Sequence, residues 1–347
     1  MNEAGRIVRL DPSAGIEGGE VVVECADFHA SPFKACGAWF GRAAFEGTRG
    51  RLVGASTKRV LAIVPEIEAS GEVEIALESE AGRTAPASFI MGAKLAEDLH
   101  PVANPAFDPD DGSLYVTRSG SRGQQLPVSI FRIDTGGEIE EFSGDITNPT
   151  GIAFDKTGQM YVTSRLDGVV YRVTPFKEAT PFAKNVGVAT GLAFDRAGNM
   201  YVGDRSGVIY RVNGIGEEEA WAQLEPSVSA YHLAFGLDDA LYVTGPTVSS
   251  FDSVTRVDEN GAASIFYKGL GRPQGLAFDV NGNLYVAASL HGRRGIVRIS
   301  PDGSEAKMAI AGMNVVGLTF SSAGEIIVAT NDAVYSVPLG INGTLLR

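Results

Sequence analysis

Two histidines and one aspartate have the residue types for acid–base chemistry or for holding a metal. His232 and His291 come from consecutive repeats of the chain, and Asp252 lies between them with Ser250 close by. An imidazole titrates near neutral pH, so it can act as a general base or as a metal ligand. His232, His291 and Asp252 are therefore candidate catalytic residues. The simpler alternative is that a histidine in a polar loop is only solvated.

Three arginines form a second group of candidates. Arg118, Arg165 and Arg205 each follow an apolar segment that contains a Tyr-Val pair. A guanidinium can hold a carboxylate or a phosphate through two parallel hydrogen bonds. We expect the three arginines to line one side of a site for an anion. The alternative is that the neighbouring Asp167 and Asp204 neutralise them locally.

The overall charge restricts the class of partner. The chain has 347 residues and a formal net charge of −13. Such a surface repels phosphate backbones, which disfavours nucleic acid and leaves a small anion or a protein as the expected partner. No apolar run approaches the ~20 residues of a membrane span. The start of the chain has no secretory signal pattern, which predicts a cytoplasmic protein, although a chain cut after such a signal would look the same.

The elements that must position these residues are indicated by a recurring phrase, G-[LI]-A-F-D. Its phenylalanines are 47, 40, 41, 43 and 42 residues apart. They are Phe107, Phe154, Phe194, Phe235, Phe278 and Phe320. A period near 40 with about four strands per repeat is typical of propeller blades. The chain is therefore predicted to be all-β, with a six-bladed β-propeller over residues 93–347.

The final repeat ends before its outer strand, and a match for that strand lies upstream. "AKLAEDLHPVANPAFD" (93–108) reads like "TPFAKNVGVATGLAFD" (180–195). We therefore predict that residues 93–99 pair with the last blade and close the ring. Closure removes the exposed strand edges that an open array of sheets would leave.

Two other residue types recur too evenly to mark a site. One is an arginine of the third strand of a blade, and the other is an aspartate that ends the first strand. The arginines are Arg132, Arg172, Arg211, Arg256 and Arg298, and the aspartates are Asp108, Asp155, Asp195 and Asp279. We predict that they pair adjacent blades or cap turns.

Residues 1–92 follow a different pattern. "GGEVVVECADF" (18–28) alternates so that Val21, Val23 and Cys25 share one face, and further short strands follow up to residue 92. This spacing predicts an immunoglobulin-like β-sandwich. Cys25 and Cys36 are both expected to face inward, as a disulfide or as two free thiols.

The repeated phrase resembles the NHL-repeat propellers and, more loosely, the gluconolactonase-like propellers related to senescence marker protein. The resemblance covers residues 93–347. The first module resembles the IPT/TIG family in its "GGEVVVE", "DF", "WFG" and "IVP" landmarks. IPT/TIG modules usually serve as spacers or interaction domains.

The gluconolactonase resemblance implies a divalent metal at the channel mouth, held by a Glu in an E-G-P entry and by Asn or Asp before the glycine of each inner strand. Here "ANP" (103–105) puts Ala103 at the Glu position. The other matching positions are Thr150, Thr190, Tyr231 with His232, Gln274 and Val316. Calcium prefers several carboxylate or carbonyl oxygens. We therefore expect no metal and no cofactor there, and we assign Thr150, Thr190, Tyr231 and Gln274 to a ligand-binding mouth.

The sequence thus favours a scaffold that binds a ligand or a protein through the polar channel-mouth face. The alternative is a hydrolase or lyase of the propeller lactonase superfamily that acts at the same face without the usual calcium site. Streptogramin-inactivating propeller lyases resemble this alternative in using histidines with a metal, but they have seven blades and carboxylates that find no match here.

Overall fold

The computed structural model describes residues 4–249 and 251–344 of the chain. Nearly all regular structure is β. The first ninety residues contain ten strands and two short 3-10 helices, at Phe33–Ala35 and Ala44–Glu46. The strands are β1 (Arg6–Asp11), β2 (Ala14–Gly15), β3 (Glu20–Ala26), β4 (Gly37–Gly41), β5 (Thr48–Gly50), β6 (Leu52–Ala55), β7 (Arg59–Ile63), β8 (Gly71–Ser79), β9 (Gly82–Arg83) and β10 (Ala87–Met91).

Strands β1–β10, here called the N-terminal module, form two sheets around one core. One sheet has the order β1-β3-β7-β6, and the other contains β2, β10, β8, β4 and β5. Strand β3 alternates as the sequence predicts, with Val21, Val23 and Cys25 buried in the core between the sheets. Cys36 is buried in the same core, and both cysteines are free thiols. Burial raises the pKa of the Cys25 thiol to about 11.

The rest of the described chain forms four separate four-stranded sheets and part of a 14-stranded sheet, and its strands are grouped below, in chain order, as units 1 to 6. Units 1 to 3 are separate sheets. Unit 1 contains β12 (Ala106–Phe107), β13 (Leu114–Thr117), β14 (Ile130–Ile133) and β15 (Ile139–Ser143). Unit 2 contains β16 (Pro149–Phe154), β17 (Met160–Ser164), β18 (Val169–Val173) and β19 (Ala179–Ala183). Unit 3 contains β20 (Ala189–Phe194), β21 (Met200–Asp204), β22 (Val208–Val212) and β23 (Glu218–Gln223).

Units 4 and 5 belong to one continuous sheet. Unit 6 takes its outer strand from a segment that precedes unit 1 in the chain. Unit 4 contains β24 (His232–Phe235), β25 (Leu241–Thr244), β26 (Asp252–Val257) and β27 (Ala263–Gly271). Unit 5 contains β28 (Leu276–Phe278), β29 (Leu284–Leu290), β30 (Arg293–Ile299) and β31 (Ala306–Ala311). Unit 6 contains β32 (Val315–Phe320), β33 (Ile326–Thr330), β34 (Val334–Val337) and the upstream β11 (Ala93–Ala96).

The predicted closing strand is present. Strand β11 pairs antiparallel with β34, with Ala93 opposite Ser336 and Ala96 opposite Val334. Its ladder covers residues 93–96 of the predicted 93–99. The last unit therefore has four strands, and its outer strand comes from a segment that precedes the first unit.

An aromatic contact between units explains why the phrase repeats. The tyrosine of each second strand packs against the phenylalanine of the next unit's first strand, with ring centroids 4.8 to 5.5 Å apart. The pairs are Tyr115–Phe154, Tyr161–Phe194, Tyr201–Phe235, Tyr242–Phe278 and Tyr285–Phe320. Edge-to-face pairs of this kind add to the burial of the rings themselves. The repeated Tyr and Phe thus bind adjacent units together.

The recurring aspartates cap turns, as predicted. Asp155 accepts backbone hydrogen bonds from Thr157 and Gln159, and Asp279 does the same for Asn281 and Asn283. Most of the recurring arginines also bond to a neighbouring strand or turn. The pairs are Arg132 with Asp111 and Glu140, Arg211 with Glu219, Arg256 with Asp238 and Arg298 with Asn283.

The N-terminal module is attached to units 5 and 6. Gly15 of β2 pairs in parallel with Ala311 of β31, so the second sheet of the module continues the sheet of unit 5. Ile16 is fully buried in the core shared with these units. Arg293 forms an ion pair of 2.7 Å with Asp11. The module is therefore joined to the units by main chain, core and charge.

No helix among the described residues is long and apolar enough to cross a membrane.

Candidate functional site

The candidate residues lie on one face of the units, here called the loop face. It is formed by the loops between second and third strands and by the connections that lead into each first strand. The first strands of successive units pack side by side. At Gly191 and Gly317 they approach so closely that an added Cβ would lie 2.5 Å from a carbonyl oxygen of the next first strand. The innermost positions therefore leave little room for side chains.

Three of the predicted ligand-binding residues contribute backbone carbonyls to the contact between units. The Thr117 hydroxyl donates to the carbonyl of Thr150 at 2.8 Å, the Thr163 hydroxyl to that of Thr190, and the Thr244 hydroxyl to that of Gln274. In each case the donor ends the second strand of one unit, and the acceptor precedes the innermost position of the next. These bonds account for the spacing of Thr150, Thr190 and Gln274 without a ligand.

The side chains of these residues, and that of Tyr231, differ in the hydrogen bonds that they make. The Thr190 hydroxyl donates to the carbonyl of Gly203 and accepts the Tyr231 amide. The Tyr231 hydroxyl donates to the carbonyl of Glu225, and burial raises the pKa of this tyrosine to about 12. The hydroxyl of Thr150 is buried with no hydrogen-bond partner among the described residues, and Gln274 is half-buried. Thr150 is thus the one of these four with an unsatisfied polar atom.

His232 is the first residue of β24 and is 4% exposed. Burial lowers the pKa of its imidazole to about 4, so the ring is neutral at neutral pH. No side-chain hydrogen bond to the ring is found among the described residues. A neutral, poorly hydrated imidazole can accept or donate a hydrogen bond, and burial disfavours its protonated, positively charged form.

The structure places His291 away from His232. Leu233 pairs with Val243 in unit 4 and Leu276 with Val286 in unit 5, so these two pairs are equivalent. His232 pairs with Thr244, one residue beyond Val243, so its level in unit 5 is that of Ala287. His291 lies four residues beyond Ala287, at the exposed tip of the β29–β30 hairpin. At about 3.3 Å per residue, that tip is roughly 13 Å farther along the strand. The two histidines therefore occupy different levels of the loop face.

Asp252 is buried at the start of β26, and its side chain bonds to the loop that precedes this strand. Its Oδ1 accepts hydrogen bonds from the Thr247 amide at 3.0 Å and the Thr247 hydroxyl at 2.7 Å. Its Oδ2 is buried with no partner among the described residues. Ser250, which the sequence placed beside Asp252, lies outside the described residues. Asp252 thus has one free oxygen, but no described contact connects it to either histidine.

The three arginines are less constrained. Arg165 donates to the Gly120 carbonyl at 3.1 Å, and Arg205 donates to the Ser227 carbonyl at 3.3 Å. The pKa of Arg165 is lowered because the surrounding protein removes part of its hydration, and the nearby charge of Arg205 adds to this effect. Arg118 is half-buried at the end of the equivalent strand in unit 1. Arg165 and Arg205 are therefore close neighbours with the same charge.

The acids expected to neutralise these arginines are engaged elsewhere. Asp167 accepts a hydrogen bond of 2.6 Å from the Tyr171 hydroxyl, and Asp204 is buried, accepting from Val188, Ser206 and the Ser206 hydroxyl. No described carboxylate forms an ion pair with Arg118, Arg165 or Arg205, whereas most of the recurring arginines have such a partner. Neither Asp167 nor Asp204 therefore forms an ion pair with these arginines.

One group with metal-ligating atoms was not identified from the sequence. Asp98, His100 and Asp332 each place one such atom within 4.8 Å of the others, and all three are exposed. The amides of Leu99 and His100 both donate to the Asp332 carbonyl, which brings the two segments together. Asp98 and Asp332 are 234 residues apart in the chain, and only ring closure makes them neighbours.

Comparisons with known proteins bear on the fold. No protein-family model and no curated protein matches the chain. Among solved structures, a gluconolactonase from Xanthomonas campestris is 16% identical, with a TM-score of 0.58, over 71% of this chain and 88% of its own. An auxiliary nutrient binding protein from Bacteroides thetaiotaomicron is 14% identical, with a TM-score of 0.57, over 97% of this chain and 98% of its own.

A virginiamycin B lyase from Staphylococcus aureus is 14% identical, with a TM-score of 0.53, over 92% of this chain and 99% of its own. The chain has a β-propeller fold. At these identities the likeness concerns the fold of the propeller and not its activity, because one fold supports many functions.

Proposed function

We propose that this chain is a binding protein that holds an anionic group on the loop face of its propeller, between Arg165 and Arg205 and with Arg118 beside them. In this proposal residues 93–347 form a six-bladed NHL-like propeller, and residues 1–92 form an immunoglobulin-like module of the IPT/TIG type.

The observation that carries the proposal is the uncompensated charge of Arg165 and Arg205. Two nearby guanidinium groups repel each other, and partial loss of hydration increases that repulsion. An anion between them relieves it and receives charge-assisted hydrogen bonds. In a chain with a net charge of −13, an arginine pair without a carboxylate partner is where such a ligand is best stabilised.

The test is a thermal-shift and calorimetric screen of the full chain against inorganic phosphate, sugar phosphates and dicarboxylic acids. We expect binding that weakens roughly 10- to 150-fold in Arg165→Ala and in Arg205→Ala, since loss of one charged hydrogen bond costs roughly 1.5–3 kcal/mol. Arg172→Ala is the matched control, because Arg172 is an exposed arginine of the same unit on its third strand. Full affinity in both loop-face variants would contradict the proposal.

The second candidate is a hydrolase or lyase acting at the same face. Its support is that two of the similar structures are a gluconolactonase and a virginiamycin B lyase, together with the neutral imidazole of His232. The test measures sugar-lactone hydrolysis by the purified chain with and without added calcium, beside His232→Ala. A rate above buffer that the variant loses would favour catalysis over binding alone.

A further inference from the structure

The loops around Arg165 and Arg205 carry exposed apolar side chains that the anion site does not use. Val248 is 92% exposed and Phe251 is 67% exposed, both in the loop between β25 and β26. Leu166, Val188 and Val228 are also exposed. We call these five residues the apolar rim.

Hydrogen bonds place the rim next to the arginines. The Arg205 amide donates to the Val188 carbonyl, and its guanidinium donates to the Ser227 carbonyl. The Ser227 hydroxyl and the Val228 amide both donate to the Pro246 carbonyl at 2.9 Å, two residues before Val248. Leu166 directly follows Arg165. Arg165, Arg205 and the rim therefore lie on neighbouring loops of units 2 to 4.

The N-terminal module, as far as the structure describes it, does not cover this surface. The strand pairing, ion pair and shared core of the N-terminal module all involve units 5 and 6. Units 2 to 4 lie elsewhere in the ring. An exposed surface that combines apolar side chains with arginines has the composition of a protein-binding site.

The shape favours a protein partner over a small molecule. A small ligand needs a concave site that buries most of its surface. Neither Arg165 nor Arg205 lines either of two concavities of the described residues. One, of about 310 Å³, is in the N-terminal module beside Arg42 and Glu74, and one, of about 430 Å³, is a shallow depression beside Leu126 and Asp145.

We propose that this surface docks an acidic segment of a protein partner whose apolar side chains pack on the rim. The proposal rests on the anion site proposed above and specifies its occupant. Carboxylates of the segment would lie against Arg165 and Arg205, and its apolar side chains would cover Val248 and Phe251. Charge complementarity selects an acidic segment, because no described carboxylate is paired with these arginines.

The test pans a random peptide library, displayed on phage, against the immobilised full chain. We expect enriched peptides that combine Asp or Glu with Leu, Ile or Phe. A synthetic copy of the enriched peptide should bind about tenfold more weakly to Phe251→Ser, because burying one aromatic side chain contributes about that factor. A similar loss is expected for Arg165→Ala. Phe176→Ser is the matched control, since Phe176 is 87% exposed in the β18–β19 turn.

The outcomes separate this proposal from the anion site. If phosphate or dicarboxylates need Arg165 and Arg205 but no peptide is enriched, or the peptide binds Phe251→Ser unchanged, the docking proposal is wrong and the anion site stands. If the peptide needs Phe251 but not the arginines, the docking proposal is wrong, and the phosphate and dicarboxylate screen alone decides the anion site. Enrichment of peptides without acidic residues would overturn the docking proposal in the same way.

Discussion

Asn104 and His232 occupy the same place in the repeat, the innermost position of the first strand, which glycine holds in the other four units. In a six-bladed ring, units 1 and 4 are opposite each other. Asn104 donates to the Leu276 carbonyl at 2.9 Å and accepts the Leu318 amide at 3.1 Å, so one side chain of unit 1 bonds to units 5 and 6. His232 makes no such bond within the described residues. Two equivalent positions thus carry different side chains, one bonded and one not.

The first prediction concerns Asn104. Asn104→Ala leaves the buried Leu276 carbonyl and Leu318 amide without partners, which should lower the free energy of unfolding by about 2–4 kcal/mol. Urea denaturation measures this. Asn260→Ala, in an exposed turn, is the control and should change little. Equal stability of the two variants would mean that the Asn104 bonds do not hold the ring.

The second prediction is a loss of stability in mild acid that depends on His232. Burial lowers the pKa of His232 from 6.5 to about 4, so between these values the unfolded chain binds a proton that the folded chain does not. The stabilising contribution is therefore fully present above about pH 6.5 and is lost as the pH falls towards 4. Its size is roughly 3 kcal/mol.

Urea denaturation at pH 7, 5.5 and 4.5 tests this dependence. His232→Gln should make the free energy of unfolding depend less on pH between pH 6.5 and 4. His291→Gln should not, because His291 is exposed. An unchanged profile in His232→Gln would show that the imidazole is hydrated and not held neutral by burial.

The third prediction concerns the junction between the module and the propeller. Ile16 is 0% exposed and packs in a core with Tyr285 and Ile310. Ile16→Ala should cost about 2–5 kcal/mol, the usual range for a buried isoleucine, whereas Val8→Ala, at a site 53% exposed, should cost little. A single unfolding transition that moves as a whole is expected. A variant that shifts only one of two transitions would show that the module unfolds independently.

The fourth prediction concerns ring closure. A chain lacking residues 1–92 loses Ile16 but keeps β11, whereas a chain lacking residues 1–100 also leaves the edge of β34 unpaired. Unpaired edges template association. We expect the longer deletion to form larger aggregates in size-exclusion chromatography with light scattering. Equal amounts of monomer from both deletions would contradict the closing role of β11.

The periodic parts of the fold were predictable from the sequence. The spacing of Phe154, Phe194 and their equivalents indicated the units, because each must place the same ring against the preceding tyrosine. The closing strand was predictable because "AKLAEDL" keeps the pattern of an outer strand despite its distant position. Alternation in β3 correctly placed Cys25 in the core of the module.

The site was less predictable, because its properties depend on main-chain contacts and loop geometry. Thr150, Thr190 and Gln274 were selected for their side chains, yet the structure uses their carbonyl oxygens, which every residue type possesses. Asp167 and Asp204 were sequence neighbours of the arginines, but the loops direct them to Tyr171 and Ser206. The pairing of Gly15 with Ala311 involves too few residues to produce a recognisable pattern in the sequence.

Two strands near the start of the chain bond to strands near its end, and this has a consequence for synthesis. Ala96 precedes its partner in β34, Val334, by 238 positions in the chain. At roughly 5–20 residues per second, the ribosome needs about 12 to 48 s to make that interval. Gly15 likewise cannot pair with Ala311 until that residue has been synthesised. During that time the nascent chain has unpaired strand edges. Its need for chaperones therefore depends on the number of residues in the ring and not on the free energy of unfolding of the finished molecule.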